Sequence, residues 1–231
     1  MAWRGRVQSA KKGMKFRPKD ERIRGFTQKD LLVVIVFLAL LGFLVVPALV
    51  RARQKRARLD CTSNLMQIGT AMRVWEGDHN DLYPPRFFTN QDGSMKYAVP
   101  SQTFRYFQVL SNELRHPRAL ICPFDDRKPA ATFATLSNNN ISYFLGMDAD
   151  ETFPGMLLGG DRNITINGKP ASPGPISIKP ADSLGWSKEM HGGAGNVALS
   201  DGSVQQVTST GLKQLSARNA NPTNGTRLVI P

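Results

Sequence analysis

The chain has 231 residues, 30 Lys or Arg against 18 Asp or Glu, and a formal net charge of +12. This length suffices for one anchoring element and one globular domain with a hydrophobic core, which excludes a purely disordered tail. The charge would ordinarily suggest a nucleic-acid partner, but residues 59–231 carry fifteen basic and fifteen acidic side chains. A nucleic-acid binder needs its surplus on the surface that meets phosphate, so we expect no nucleic acid among the partners.

The first 24 residues are strongly basic, with nine Lys or Arg against Asp20 and Glu21. A second, smaller basic run follows the apolar segment and consists of Arg51, Arg53, Lys55, Arg56 and Arg58. Positively charged flanks stay on the cytoplasmic side of a membrane, and the larger flank usually prevails. The sequence therefore predicts a cytoplasmic N-terminus and an extracytoplasmic domain after Leu59.

The segment from Leu31 to Val50 contains only Leu, Val, Ile, Phe, Ala, Gly and Pro. At about 1.5 Å per residue, twenty helical residues reach roughly 30 Å, the hydrocarbon thickness of a bilayer. A cleaved secretory signal has a shorter apolar stretch, although residues 47–50 loosely resemble a cleavage region. We therefore predict a membrane-spanning helix that has the lipid bilayer as a partner and is kinked at Pro47.

A single acid, Asp30, stands directly before this apolar segment. An ionised carboxylate stays hydrated at the edge of a span, whereas inside a dry helix bundle it needs a cationic partner or a proton. A carboxylate also satisfies free N–H groups at a helix N-terminus and suits the positive end of the helix dipole. Spacing alone favours a helix cap as the role of Asp30.

The helix is predicted to continue beyond the span. Apolar residues recur at steps of four and three, as on one face of a helix: Cys61, Leu65, Ile68, Met72 and Trp75. Gly77 weakens the helix and Pro84-Pro85 ends it, so one helix should run from about Asp30 to about Glu76. We interpret the stripe as core packing against a small domain.

The two cysteines, Cys61 and Cys122, can form one disulfide if the domain is extracytoplasmic. Two reduced, half-buried thiols are an equally weighted alternative. Spacing does not decide between the two, so both interpretations stay open at this stage.

The rest of the chain is broken by Pro and Gly and reads mainly as strands. A short helix is predicted before Pro117, from the spacing of Phe104, Phe107, Leu110 and Leu114. Strands are predicted at 141–147, 163–167, 196–199 and 203–207. Asp201-Gly202 predicts a hairpin closed by a type I′ turn, in which both central residues have positive φ. A terminal helix is expected at 208–218 and a loosely held tail at 219–231.

Motifs for catalysis are not found in the sequence. The histidines His79, His116 and His191 are isolated, and no nucleophile elbow, Walker loop or dinucleotide fingerprint occurs. A lone histidine is more often a structural donor that holds a loop, and that is the role expected for His191. Asp201 is explained by its turn. We therefore expect no enzyme activity and no cofactor.

An acidic stretch offers oxygen atoms of the kind that calcium prefers, at Asp148, Asp150, Glu151 and Asp161. Their spacing is not that of an EF-hand loop. A solvated acidic loop explains them better, so no metal is expected.

One family resemblance is carried by Gly25-Phe26-Thr27, the acid at Asp30, and the long apolar helix with Pro47. This pattern resembles the N-terminus of type IV prepilins and of the pseudopilins of type II secretion systems. The resemblance implies that prepilin peptidase cuts between Gly25 and Phe26 and that Phe26 is then N-methylated. Asp30 would be the fifth mature residue, where the family places glutamate.

The resemblance also implies a partner for Asp30. In assembled fibres the family's acid pairs with the free N-terminal amine of a neighbouring subunit, so Asp30 would set the register of helix packing. Later segments are similar to pseudopilin-like proteins of planctomycetes and verrucomicrobia: 61–69, 78–85, 120–125 and 191–204. The implied partners are prepilin peptidase, other pilin or pseudopilin subunits, and the inner-membrane secretion machinery.

The expected fold class is α+β and pilin-like, with a long N-terminal helix packed on a small antiparallel β-sheet head. Its predicted parts are a basic leader (1–25), a transmembrane and assembly helix (26–50), an amphipathic continuation (51–83) and an extracytoplasmic head (84–231). The expected function is a structural subunit of a type II secretion pseudopilus or type IV pilus-like fibre, anchored by a single pass in the inner membrane. The alternative is an anchored extracytoplasmic binding protein that uses the pilin N-terminus only as an anchor.

Overall fold

The computed structural model describes residues 27–88, 96–219 and 225–231. The chain divides into two compact units, Met1–Ala48 and Leu49–Pro231. Helix α1 (Gln28–Gly77) begins in the first unit and ends in the second, which confirms the predicted helix from about Asp30 to about Glu76. Pro47 lies within α1, and the helix continues on both sides of it.

In the first unit, the described chain is the N-terminal part of α1. Among the described residues, α1 is the one helix that is long and apolar enough to cross a membrane. Its residues up to Ala48 are exposed, apart from the half-buried Gly42. This much confirms the membrane-length helix predicted from composition.

In the second unit, one face of α1 packs into the core of the head. All five members of the predicted stripe are buried: Cys61, Leu65, Ile68, Met72 and Trp75. The helix ends at Gly77, and Asn80 and Asp81 follow it with φ of 58° and 55°. Both residue types tolerate the left-handed conformation, so the chain can reverse before Pro84.

Short helical turns connect α1 to the strands. They are α2 (Pro84–Phe87), α3 (Arg105–Gln108), α4 (Ser111–Leu114) and 3₁₀ turns at Pro117–Leu120, Phe133–Thr135 and Asn138–Asn140. The single helix predicted before Pro117 is wrong in detail, because Val109 and Leu110 separate α3 from α4. The pattern was informative about burial, since Phe107, Leu110 and Leu114 are all in the core.

The head contains two antiparallel sheets. The strands are β1 (Tyr143–Gly146), β2 (Leu157–Asp161), β3 (Ile164–Ile166), β4 (Lys169–Pro170), β5 (Gly174–Ile178), β6 (Leu184–Trp186), β7 (Ala194–Leu199), β8 (Val204–Thr208) and β9 (Thr226–Ile230). Six strands form one sheet in the order β5-β9-β1-β2-β7-β8, and three form the other in the order β4-β3-β6. Helix α5 (Ser209–Asn219) follows β8, where the terminal helix was predicted. The fold class is therefore α+β.

The larger sheet separates two hydrophobic clusters. Side chains alternate across a strand, and adjacent residues of β1 accordingly divide between the clusters, with Leu145 in one and Phe144 in the other. The first cluster contains the buried stripe of α1. The second contains Leu212 of α5 and Trp186 of the smaller sheet. Both faces of the central strands are therefore buried from solvent.

The C-terminal tail differs from its prediction. Residues 219–231 were expected to be loosely held, but β9 lies inside the larger sheet and pairs with both β5 and β1. Leu228, Val229 and Ile230 are buried. Arg127 donates to the carbonyl oxygen of Pro231 at 3.2 Å and so holds the end of the chain.

The β7–β8 hairpin is confirmed, but its predicted turn type is wrong. Gly202 has φ of +83°, and Asp201 does not have positive φ. The N–H of Gly202 donates to the carbonyl of Leu199 at 2.9 Å, and Leu199 N–H donates to the carbonyl of Ser203 at 2.9 Å. This is a three-residue loop with a bulge at glycine. Asp201 stabilises it by accepting from the N–H of Ser203 at 2.8 Å.

Candidate functional site

The first candidate site is the start of α1. Asp30 Oδ2 accepts hydrogen bonds from the N–H of Thr27 at 3.0 Å and from its hydroxyl at 2.8 Å. The N–H of Asp30 lies 3.4 Å from Thr27 Oγ1, so the two residues form a reciprocal capping box. Thr27 is the cap and Asp30 is its partner in the first turn, which agrees with the capping role favoured by spacing.

Three further residues were predicted for processing or assembly, namely Gly25, Phe26 and Pro47. Gly25 and Phe26, the predicted cleavage and methylation residues, lie outside the described part of the chain. Pro47 lies inside α1 and is exposed. Because proline lacks an N–H, it cannot donate to the carbonyl four residues earlier, and that group needs a different partner.

The second candidate site surrounds the two cysteines, which form a disulfide with a Cα–Cα distance of 5.0 Å. Cys61 lies on α1, and Cys122 follows the 3₁₀ turn Pro117–Leu120. A hydrogen bond of 2.8 Å from Asn64 Nδ2 to the carbonyl of Ile121 joins the same two segments. The disulfide therefore ties the buried face of α1 to the loop that precedes β1.

A buried polar cluster lies against this disulfide. His191 Nε2 is 3.2 Å from Cys122 Sγ, 3.2 Å from Asp161 Oδ2 and 3.3 Å from Asn196 Nδ2. Asp161 Oδ2 also accepts from the backbone N–H and from Nδ2 of Asn196, at 2.7 and 2.9 Å. The side chains of His191 and Asp161 are fully buried. His191 is isolated in the sequence, but the fold gives it three polar neighbours.

Backbone conformation places His191 there. His191 has φ of +50°, and Gly192 and Gly193 after it have φ of +66° and +90°. Such a run turns the chain sharply before β7, and Asn196 on that strand then faces Asp161 at the end of β2. The ring of Phe124 lies 4.7 Å from the imidazole ring. Burial and the charge of Asp161 also raise the pKa of Tyr143 on the adjacent strand β1.

Three of the four acids that were considered as calcium ligands pair with arginines. Arg227 Nε donates to Asp148 Oδ1 at 2.9 Å, and Arg73 lies 3.3 Å from Glu151. Asp150 pairs with Arg86. Asp161 belongs to the histidine cluster instead. Within the described residues these four acids do not converge on one point, so they act as separate structural pairs.

A second buried carboxyl lies at the end of α1. Glu76 is only 2% exposed, and burial together with the nearby carboxyl of Glu151 raises its pKa to about 7. Arg73, one turn earlier, donates to the carbonyl of Ser200 at 2.8 Å. Tyr83 donates to the same carbonyl at 3.3 Å. The tip of the β7–β8 hairpin is therefore held by the last turn of α1 and the loop after it.

A buried ion pair connects the loop after Cys122 to the loop between β2 and β3. Arg162 donates from Nε and Nη2 to the two carboxylate oxygens of Asp125, each at 2.7 Å. Burial raises the pKa of Asp125, but its hydrogen bonds, with those from Arg162 the strongest, and the charge of Arg162 together outweigh burial and hold that pKa well below its usual range. Bidentate pairs of this kind fix geometry as well as adding energy.

His79 packs at the end of α1. His79 stacks on Trp75 with ring centroids 3.6 Å apart, and its Nδ1 lies 2.6 Å from the carbonyl oxygen of Trp75. These contacts indicate a structural role for His79 at the edge of the core. Within the described residues, the one group of His, Cys, Asp or Glu side chains close enough to share a metal ion is Cys61, Cys122 and His191.

A groove of about 500 Å³ lies on the surface of the head. Its walls come from the outward face of α1 and from α4 and its neighbours: Ser63, Met66, Gln67, Thr70, Ala71, Val74, Asn112, Glu113, Leu114 and Arg115. Met66 and Val74 are 51% and 56% exposed. The groove is thus partly apolar and lies on the side of α1 opposite to the buried stripe.

This chain matches no protein-family model, no curated protein and no solved structure. The resemblance to prepilins therefore stays a prediction from residues 25–47 and the later motifs. Sequence reasoning missed the pairing of His191 with Asp161 and Cys122. The one local signal for it was a histidine before two glycines, which indicates a tight loop but does not name the partners.

Proposed function

We propose that this chain is a pilin-like structural subunit, cut by prepilin peptidase between Gly25 and Phe26 and N-methylated at Phe26. Its apolar helix packs with the helices of other subunits into a type II secretion pseudopilus or type IV pilus-like fibre. Before assembly, the helix anchors the chain in the inner membrane with the head outside the cytoplasm. The chain performs no catalysis itself and is the substrate of the peptidase.

The observation that carries this proposal is the exposure of the apolar helix. All sixteen Leu, Val, Ile and Phe side chains from Leu31 to Val50 are between 41% and 79% exposed. A soluble monomer rarely leaves so large an apolar surface open to water. Lipid covers this surface before assembly. Neighbouring helices cover it afterwards through van der Waals packing.

The position and state of Asp30 support an assembly role rather than a simple anchor. Its Oδ2 is engaged by Thr27, while Oδ1 accepts no hydrogen bond from any described residue. The carboxylate is exposed. An oxygen that remains free can accept a charge-assisted hydrogen bond from a second chain's N-terminal amine without breaking the cap. Asp30 would then set the register between neighbouring helices.

Cysteine crosslinking tests assembly directly, because both native cysteines are used in the disulfide and add no free thiol. Leu38→Cys places a thiol on the apolar helix, and Lys188→Cys places one on the exposed surface of the head as a matched control. Each variant has one free thiol, so a bismaleimide can join a chain to one neighbour. After treatment of membranes with this reagent, we expect covalent dimers for Leu38→Cys and mainly monomer for Lys188→Cys. Monomer from both variants would contradict assembly.

The acid is tested in the same membranes. In the Leu38→Cys chain, Asp30→Asn should lower the yield of crosslinked dimer, because the neutral amide loses most of its attraction for a cationic amine, while Asp30→Glu should restore it. N-terminal sequencing of each variant separates a failure of processing from a failure of packing. Equal yields of dimer for all three chains would remove Asp30 from the assembly mechanism.

The groove on the head favours a second candidate, an anchored binding protein. It places Met66, Val74 and several polar side chains beside one another on an open surface. This candidate predicts monomers in the crosslinking experiment and a partner lost on substitution of Met66. In this candidate the exposed Asp30 serves only to cap α1 and its second carboxylate oxygen is unused, which is why the structural subunit is preferred.

A further inference from the structure

We propose that the head binds one zinc ion when its disulfide is reduced, through Cys61, Cys122 and His191. The proposal goes beyond the assembly function and concerns the head alone. Sγ of Cys61, Sγ of Cys122 and one ring nitrogen of His191 lie within 4.8 Å of one another. Two thiolates and an imidazole are the donors that zinc prefers in protein sites.

The distances in the cluster suit a tetrahedral ion. With bonds of about 2.0 to 2.3 Å, neighbouring ligands of zinc lie roughly 3.3 to 3.8 Å apart. His191 Nε2 is already 3.2 Å from Cys122 Sγ. Cleavage of the S–S bond removes the constraint that holds the two sulfurs together, so small side-chain rotations open the space that the ion needs.

Asp161 is the nearest further oxygen donor. Its Oδ2 lies 3.2 Å from the same His191 nitrogen and is held by two hydrogen bonds from Asn196. Its Oδ1 is buried and accepts no hydrogen bond within the described residues, and His191 Nδ1 is likewise buried without a partner. A carboxylate beside the ligand set lowers the cost of bringing a dication into the core.

The disulfide and the metal exclude each other. A dithiol reductant cleaves the S–S bond, yields two thiols and becomes a cyclic disulfide itself. Zinc then displaces the two thiol protons, which pass to solvent. Oxidation of the two thiolates back to the disulfide removes two ligands and releases the ion. Zinc would therefore hold α1 to the loop at Cys122 in a chain that has not yet been oxidised.

The test uses the detergent-extracted full chain, reduced with dithiothreitol, freed of reductant without air, and then given zinc or cobalt. We expect one zinc per reduced chain, none per oxidised chain, and a raised thermal midpoint of the reduced chain with zinc. Cobalt should give the intense near-ultraviolet absorption of thiolate ligation. His191→Ala should weaken zinc binding at least tenfold and change the cobalt spectrum, whereas His116→Ala, at an exposed histidine, should leave both unchanged.

Asp161→Asn keeps the size of the side chain and should weaken zinc binding without abolishing it. A reduced wild-type chain that binds no zinc, or whose thermal midpoint is unchanged by zinc, would overturn the proposal. So would equal zinc binding and an identical cobalt spectrum for His191→Ala. If His191→Ala does not fold, the comparison of oxidised and reduced wild-type chains still decides the matter.

Discussion

The two parts of α1 differ in the exposure of their apolar side chains. Between Leu31 and Val50 all the large apolar side chains are exposed, whereas the stripe from Cys61 to Trp75 is buried. The head also pairs its charges internally, as with Asp125 and Arg162. The head therefore covers most of its own apolar side chains, whereas those of the apolar segment have no cover within the described residues. Substitutions in one region should leave the stability of the other unchanged.

The largest expected effect is in the buried ion pair of the head. Asp125→Asn removes the buried carboxylate that Arg162 binds through two hydrogen bonds, and breaking a buried pair typically costs about 3 to 5 kcal/mol. Because the pKa of Asp125 is lowered in the folded state, its contribution is present at neutral pH and is lost as pH falls below the ordinary value of 3.8. Urea unfolding from pH 7 to pH 2 measures both. Asp126, which is 92% exposed and also contacts Arg162, is the control, and its Asn variant should change stability by less than about 0.5 kcal/mol.

A matched pair of leucines on α1 tests the contrast itself. Leu65 is fully buried, so Leu65→Ala should cost about 2 to 5 kcal/mol of head stability. Leu40 is 60% exposed, so Leu40→Ala should leave head unfolding unchanged and act only on the yield of crosslinked dimer. Urea unfolding followed by tryptophan fluorescence distinguishes them. A large loss of head stability from Leu40→Ala would mean that the two regions are not energetically separate.

The next effect depends on pH and lies at the end of α1. The pKa of Glu76 is raised from 4.5 to about 7, so the folded chain holds this proton more tightly than the unfolded chain does. The contribution of Glu76 to stability should therefore be greatest below pH 4.5 and be lost as pH rises toward 7. Glu76→Gln removes the ionisation and should be more stable than wild type at pH 8 by roughly 3 kcal/mol, with little difference at pH 4. Asp78→Asn, at an exposed residue nearby, should show no such pH dependence, and parallel profiles for Glu76→Gln and wild type would contradict the assignment.

The smallest effect concerns the cap of α1. Thr27→Val removes the hydroxyl that bonds Asp30 and should destabilise the first turn by about 1 kcal/mol. Hydrogen exchange of the first-turn amides in detergent micelles measures this, with Gln28→Ala as the control. Unchanged exchange would mean that the capping box contributes nothing to the helix start.

Periodicity was sufficient to predict α1, because its buried stripe repeats every three or four residues over several turns. It was not sufficient for β2, whose Leu-Leu-Gly-Gly-Asp sequence reads as a chain break. The structure explains Gly160, since a Cβ there would lie 2.6 Å from the Phe144 ring and 2.7 Å from the carbonyl of Asn196. A glycine that permits close strand packing looks the same in a sequence as a glycine that ends a strand.

Position in the chain misled the prediction for β9. This strand is short, contains Arg227 and lies at the C-terminus, where loosely held ends are common. Its pairing with β5 and β1 involves residues far away in sequence. The cluster of Cys122 and His191 was missed for the same reason. These two residues are 69 residues apart in the sequence and come together only in the fold. Local patterns carry no information about such contacts.

The most direct test of the central claim is the identity of the first residue of the mature chain. Intact mass and N-terminal sequencing of membrane-extracted protein, produced with and without active prepilin peptidase, decide it. The proposed function predicts a chain that begins with N-methylated Phe26 only when the peptidase is active. A mature chain that still begins at Met1 in the presence of active peptidase, or that starts beyond Val50, would contradict it, because the amine that pairs with Asp30 would not exist.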